Sequence, residues 1–371
     1  MVFKVVIAAL AAGAQLSSAF EKPAAPAQGM RLIKTSEEDP GQWIFKEDKY
    51  TMVKSKGGCT HYIDITNIED DFVLERLSAK YRAAAQKVVE YPDTLSHVEE
   101  AQSFISSAGT KGPQLGLEHL SSYHNRHCES ETGTEAANWL FEKVQSFASA
   151  NAAITVEQFP HSDFDQPSII ARIPGNNENL VIIGAHFDST TGRPSAAAPG
   201  ADDNASGTVV VLESLRVLAQ GGFKPENTLE FHWYAGEEIG LVGSADVFAN
   251  YRAAGKAVLS YVNQDMAGYS PSGTPAIITD YTDSDLNAYV KLLVTEYTGQ
   301  APSEDSCGYG CSDHASADAN GFPAAFLFED LTDQTSPYIH TVNDTLDTIM
   351  WDAVERHIQF SIGYLVEASY L

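Results

Sequence analysis

Eight side chains able to hold a metal or move a proton stand at the ends of apolar runs. His186 and Asp188 close "VIIGAHFDS", Asp202 and Asp203 lie in "PGADDNASG", and Glu237 and Glu238 close "FHWYAGEE". Asp265 ends "YVNQDMAG", and His340 lies in "YIHTVNDT". Two imidazoles and several carboxylates form a donor set suited to divalent zinc. Any one of these signals alone is an ordinary cap or solvated turn; in this order they spell a metal cluster. The adjacent glutamates sharpen the point, because two like charges at a buried strand end need either solvent or a positive partner.

The elements that must position these groups follow from hydropathy. Beyond residue 93, helical runs such as "TEAANWLFEKVQSFASA" and "GTVVVLESLRVLAQ" alternate with short apolar runs, "NLVIIGAHFDS", "TLEFHWYAGEE", "AVLSYVNQDMAGY", "PAIITD" and "FPAAFLFED". Apolar strands without polar alternation are covered on both faces, which predicts an α/β three-layer sandwich around a mostly parallel, mixed central sheet. In such sheets functional groups gather at the carboxyl ends of strands, where all the residues above lie.

Composition bounds the rest. The chain has 371 residues, 43% hydrophobic, enough for a substantial core. Residues 1–19, "MVFKVVIAALAAGAQLSSA", have one lysine, a short apolar run and small residues before Phe20, the pattern of a secretory signal; the run is too short to span a bilayer. Residues 1–88 hold 12 Lys+Arg and 11 Asp+Glu, whereas the remainder holds 11 and 39. That acidity argues against nucleic acid or a membrane surface as partner. The same change in charge marks residues 20–88 as a propeptide or a small permanent subdomain, ahead of a catalytic domain at 89–371. A helix is predicted over Asp70 to Val89, closed by the turn at Tyr91-Pro92-Asp93.

The motifs "GAHFDS", "GADDNASG", "AGEEIGLVGS", "NQDMAGY" and "IHTVNDT", in that order, resemble the co-catalytic di-zinc leucine aminopeptidases secreted by fungi and marine bacteria. The resemblance spans nearly all of the chain after the propeptide. It implies an extracellular, monomeric aminopeptidase removing an N-terminal leucine or other large apolar residue from peptides through a zinc-bridging water. It further implies two zinc ions per chain, one on His186 and Asp265, the other on Glu238 and His340, with Asp202 bridging them and a cis Asp202–Asp203 peptide. Asp188 is then placed to accept the other N–H of the His186 imidazole. With Glu238 on zinc, Glu237 is free to act as base and then acid; capping the following helix is its alternative role.

The same resemblance implies a Cys307–Cys311 disulfide enclosing Tyr309, which either donates a hydrogen bond to the developing oxyanion or is structural. Cys59 and Cys128 are expected to remain unbridged, and the sequons at Asn204 and Asn343 to be unmodified. Met266, Phe328 and Ile339 either line an apolar substrate pocket or belong to the core. The segment "DLTDQTSPY" lacks the pocket aromatics of the bacterial relatives. Three other functions compete. Di-zinc carboxypeptidases and aminoacylases need a lid domain for which the 75 positions from Asp265 to His340 leave no room. Single-zinc glutaminyl cyclases and a catalytically dead binding module have no use for the full ligand set. The propeptide is expected to act on its own catalytic domain as inhibitor or chaperone.

Overall fold

A computed structural model describes residues 22–24, 26–49, 62–78 and 89–371. The signal sequence, Cys59 and residues 79–88 fall outside them.

The N-terminal piece forms a small antiparallel sheet of β1 (Met30–Lys34), β2 (Gln42–Phe45) and β3 (Ile63–Asp64) in the order β2-β1-β3. Helix α1 (Asp71–Arg76) follows, with Asp70 as the cap that accepts the Phe72 N–H. It starts where the sequence predicts but ends early. Ser78 folds its N–H and hydroxyl back onto the Glu75 carbonyl, closing the last turn.

Helices α2 (Val98–Ile105), α3 (Lys111–Ser121) and α4 (Glu131–Ala148) come next, then strands β4 (Thr155–Phe159), β5 (Ser168–Ile173) and β6 (Asn177–His186). Helix α5 (Gly207–Gly221), β7 (Asn227–Tyr234), α6 (Val242–Ala253), β8 (Val258–Gln264) and β9 (Ala276–Ile278) continue the alternation. The chain ends through α7 (Ser284–Thr298), β10 (Ser303–Asp305), α8 (His314–Ala319), β11 (Ala324–Phe328) and α9 (Trp351–Ala368). Eight strands form one sheet in the order β10-β9-β11-β8-β6-β7-β5-β4. The inner strands β11, β8, β6 and β7 are parallel, whereas β9 against β11, β5 against β7 and β4 against β5 are antiparallel. This is the mixed, mostly parallel sheet that the apolar runs predict.

Alternation within β6 shows why its sequence is apolar throughout. Val181 and Ile183 join one core with Val209, Leu215, Phe231 and Leu365, while Leu180 and Ile182 join a second with Phe248, Tyr251 and Tyr261. Each face of the sheet is therefore covered by helices. Register sets where the loops begin. His186 lies opposite Tyr234, and Gln264 opposite Leu327, so the carboxyl ends of the parallel strands are level along one edge.

Candidate metal centre

Each loop at that edge is shaped by a few residues. β7 ends at Tyr234 and turns through Gly236, at φ +69°, where a Cβ would lie 2.6 Å from the Phe164 ring. The turn delivers Glu237 and Glu238, whose N–H groups donate to the two oxygens of Asp188 at 3.1 and 3.2 Å. Asp188 also lies 3.5 Å from Nδ1 of His186, as expected of a group that orients the imidazole. Asp344, which sequence reading passes over, accepts the N–H groups of Asp202 and Asp203 at 2.8 and 3.0 Å. Asn204 ties the same segment to β8. Its Oδ1 accepts from Gly207 and Met266, and its Nδ2 donates to the Gln264 carbonyl. That sequon is fully buried. Met266 and His340, both next to loop turns, hold left-handed φ of 57° and 54°, strained backbone of the kind that clusters at functional sites.

The side chains converge in two groups. His186, Glu237 and Asp265 form one, and Asp203, Glu238 and His340 the other, with ligand atoms of each group within 4.8 Å of one another. Asp203 lies between them: Oδ1 is 3.3 Å from Nε2 of His186, and Oδ2 is 3.0 Å from Nε2 of His340. His186 Nε2 is also 3.1 Å from Asp265, and His340 Nε2 is 2.9 Å from Glu238.

This corrects the bridge expected from sequence. Asp202 does not reach the cluster; its carboxylate accepts the Gly268 N–H at 2.8 Å and faces Glu329. The cis peptide is Asp203–Asn204, one bond later than expected. Neighbouring residues on a kinked backbone point in different directions, and adjacency in sequence cannot say which of two aspartates faces inward.

Electrostatics show what the cluster lacks. Burial pushes the Glu237 carboxyl well above the carboxylate range and Glu238 up to about 7. Burial works against charge on His186 and His340 too, yet surrounding carboxylates more than offset it and drive both upward. Asp203 is likewise buried, but the two imidazoles hold it far below its ordinary value. Oε1 of Glu237 and Oε1 of Glu238 are buried without a hydrogen-bond partner. Left to itself, the cluster balances its carboxylates only by protonating Glu237 and charging both histidines. Two dications would supply that balance and occupy the orphaned oxygens, so the residues fit a pair of divalent ions.

Beside the cluster lies a cavity of about 230 Å³ lined by Asp203, Asp265, Met266, Tyr309, Phe326, Phe328 and Ile339, with the bridged Cys307–Cys311 pair forming one wall. Met266, Phe328, Ile339 and Tyr309 are thus brought together as the sequence suggested. Phe326, from the same strand as Phe328, was missed, although its place two positions earlier in an alternating strand puts it on the same face. Cys128 is buried and unbridged.

Residues 168–365 match the sequence profile of peptidase family M28. The chain is 38% identical over 370 residues to a probable leucine aminopeptidase of Trichophyton verrucosum (strain HKI 0517), covering 98% of this chain and 99% of the relative. It is 40% identical over 350 residues to leucine aminopeptidase 1 of Arthroderma otae, covering 88% and 90%. Among solved structures it is similar to the LapA aminopeptidase of Legionella pneumophila, at 25% identity and a TM-score of 0.80, covering 92% and 98%. A glutaminyl cyclase of Porphyromonas gingivalis, 18% identical with a TM-score of 0.59, covers 70% of this chain and 99% of its own, and shares the fold.

Proposed function

The chain belongs to peptidase family M28 and is a metallo-aminopeptidase, and from that premise we propose that it is a secreted two-zinc enzyme removing N-terminal leucine and similar apolar residues from peptides. The observation that carries this is Asp203, whose two oxygens each face one imidazole, with Asp265 and Glu238 completing the two sides. His186 and Asp265 would hold one ion, Glu238 and His340 the other, and Asp203 would reach both. When bound, the pair supplies the Lewis acidity that activates water and polarises the scissile carbonyl.

The chain's own groups do the rest. Glu237, on the turn fixed by Asp188, takes a proton from the attacking water and returns it to the departing amine nitrogen as the peptide C–N bond breaks. Tyr309, at the cavity wall, donates its hydroxyl to the oxyanion. Met266, Phe326, Phe328 and Ile339 receive the first side chain, and the cavity has room for one such group rather than a dipeptide. The acidic lining next to it attracts the free α-ammonium that marks a peptide's N terminus.

Residues 1–19 direct export, and residues 20–88 are a propeptide. Its described part packs Leu32, Ile63, Ile65, Val73 and Leu74 against Leu241, Ala315 and Ala319, while Asp64 donates its N–H to Gly240 and Lys49 donates to Ile239. These contacts brace the segment just after Glu237–Glu238. None of the described residues of this piece lines the substrate cavity, which favours a chaperone over a plug.

The test is metal content with product analysis. Purified protein is expected to hold two zinc ions per chain and to release leucine from leucyl peptides, but nothing from N-acetylated ones. One zinc with cyclisation of N-terminal glutamine, or cleavage from the carboxyl end, would sink the reading.

A further inference from the structure

Arg126 is completely buried, and its side chain finds no carboxylate among its hydrogen-bond partners. Nε donates to the Phe187 carbonyl at 2.7 Å, Nη1 to Leu120 at 3.1 Å and Pro199 at 2.5 Å, and Nη2 to Gly200 at 2.7 Å. Its own N–H donates to Oγ of Ser189 at 3.0 Å, and that hydroxyl donates to the Ala198 carbonyl at 2.9 Å. A buried cation that spends four of its five N–H donors on main-chain carbonyls is costly unless those carbonyls must be held. Three of the four belong to two loops, and the fourth, Leu120, to helix α3. Phe187 sits between His186 and Asp188, and Pro199–Gly200 leads directly into the Asp202–Asp203 segment. Gly200 accommodates the approach: at φ +55°, a Cβ there would lie 2.8 Å from Nη2 and 2.5 Å from the Cβ of Ser189. Burial lowers the guanidinium to about 10, and the carboxylates of Asp344, Asp188, Asp203 and Glu238 act against that fall.

We propose that Arg126 is a positioning residue, a clamp that fixes the loop bearing His186 against the loop bearing Asp203 so that both metal positions exist before any ion arrives. The clamp depends on the guanidinium's planar fork, which a lysine's point charge cannot reproduce. The Arg126 side chain bonds only main-chain carbonyls and is absent from the lining of the substrate cavity, which the clamped loops enter through Asp203 alone. The inference rests on the zinc reading above.

The experiment compares wild type with Arg126→Lys and Ser189→Ala. Lysine retains the charge, so the electrostatic influence on a cation is kept while most of the clamp is lost. Zinc affinity is measured on metal-free protein by competition with a chromophoric chelator, alongside kcat and KM for a leucyl anilide. Arg126→Lys is expected to bind zinc at least tenfold more weakly and to lose at least tenfold in kcat at saturating zinc, with KM within threefold. Ser189→Ala, which deletes a single hydroxyl, is expected to move zinc affinity about threefold in the same direction. A variant that melts earlier yet binds zinc and turns over within twofold of wild type would reduce Arg126 to a structural role and overturn the clamp. Should Arg126→Lys fail to fold, unchanged zinc affinity in Ser189→Ala overturns it equally. Wild type that binds no zinc at all overturns the metal reading, and the clamp with it.

Discussion

At the residue scale, adjacent acidic pairs divide their labour, and the two pairs here do so differently. Glu237 and Glu238 share a turn held by both oxygens of Asp188, so each carboxylate leaves a main chain whose own N–H is pinned. Glu237→Gln is expected to keep the metals and the fold while lowering kcat by about two to four decades with little change in KM, measured by steady-state kinetics beside zinc analysis; retention of most activity would remove Glu237 from the mechanism. The Asp202–Asp203 pair is told apart by the backbone alone. Asp203→Asn should leave at most one zinc per chain and no activity, because the charge between two dications is gone. Asp202→Asn should retain both, since its carboxylate serves the Gly268 N–H and faces Glu329. Metal counts on the two purified variants settle the order, and two zincs in Asp203→Asn would refute it. Sequence could name the acidic pair but not its inward member. The kink that turns Asp203 toward the imidazoles is set by Asp344 and Asn204 across 141 and 62 positions of chain respectively, through bonds that no local pattern records.

At the scale of elements, the inner parallel strands were legible because burial on both faces leaves an unbroken apolar run, whereas β4 was not. Its sequence, "TVEQF", lies on the sheet edge with exposed and half-buried positions, and the polar residues that keep an edge solvated hide it. The docking of the N-terminal piece was equally invisible, since it depends on pairs far apart in the chain. Arg76 donates to the carbonyl and the carboxylate of Asp318 at 2.7 and 2.8 Å, and Leu74 is buried in a cluster with Leu241 and Ala315. In the uncleaved chain, Leu74→Ala should cost about 2–4 kcal/mol and Arg76→Ala about 1–3 kcal/mol, read by chemical denaturation. Both should lower the yield of active enzyme. Once the piece has been cleaved away, the surviving enzyme should have normal specific activity. Unchanged precursor stability would mean that the seam is incidental, and a lower specific activity after cleavage would mean that the piece stays bound.

At the scale of the whole molecule, charge separates the chain's two parts. The stretch after residue 88 carries 39 acidic and 11 basic residues, so this body is a polyanion with or without the nearly neutral N-terminal piece. Within the metal centre, the carboxylates of Asp203, Asp265, Glu238 and Glu237 would cancel the charge of two bound dications, and the field a peptide meets on approach would then come from the surface. Such a field raises the encounter rate of cationic peptides and falls away once the screening length drops below about 10 Å, near 0.1 M salt. For peptides that share an N-terminal leucine and differ only further along, Leu-Lys-Lys is expected to exceed Leu-Glu-Glu in kcat/KM by several-fold at about 10 mM salt, and the ratio should approach one near 0.5 M. The chemistry at the leucyl bond is the same in both, so a salt-dependent ratio isolates the field. A preference that persists unchanged at high salt would instead come from direct contacts beyond the first side chain, and a ratio near one throughout would show that the surface charge serves solubility and does not steer substrate.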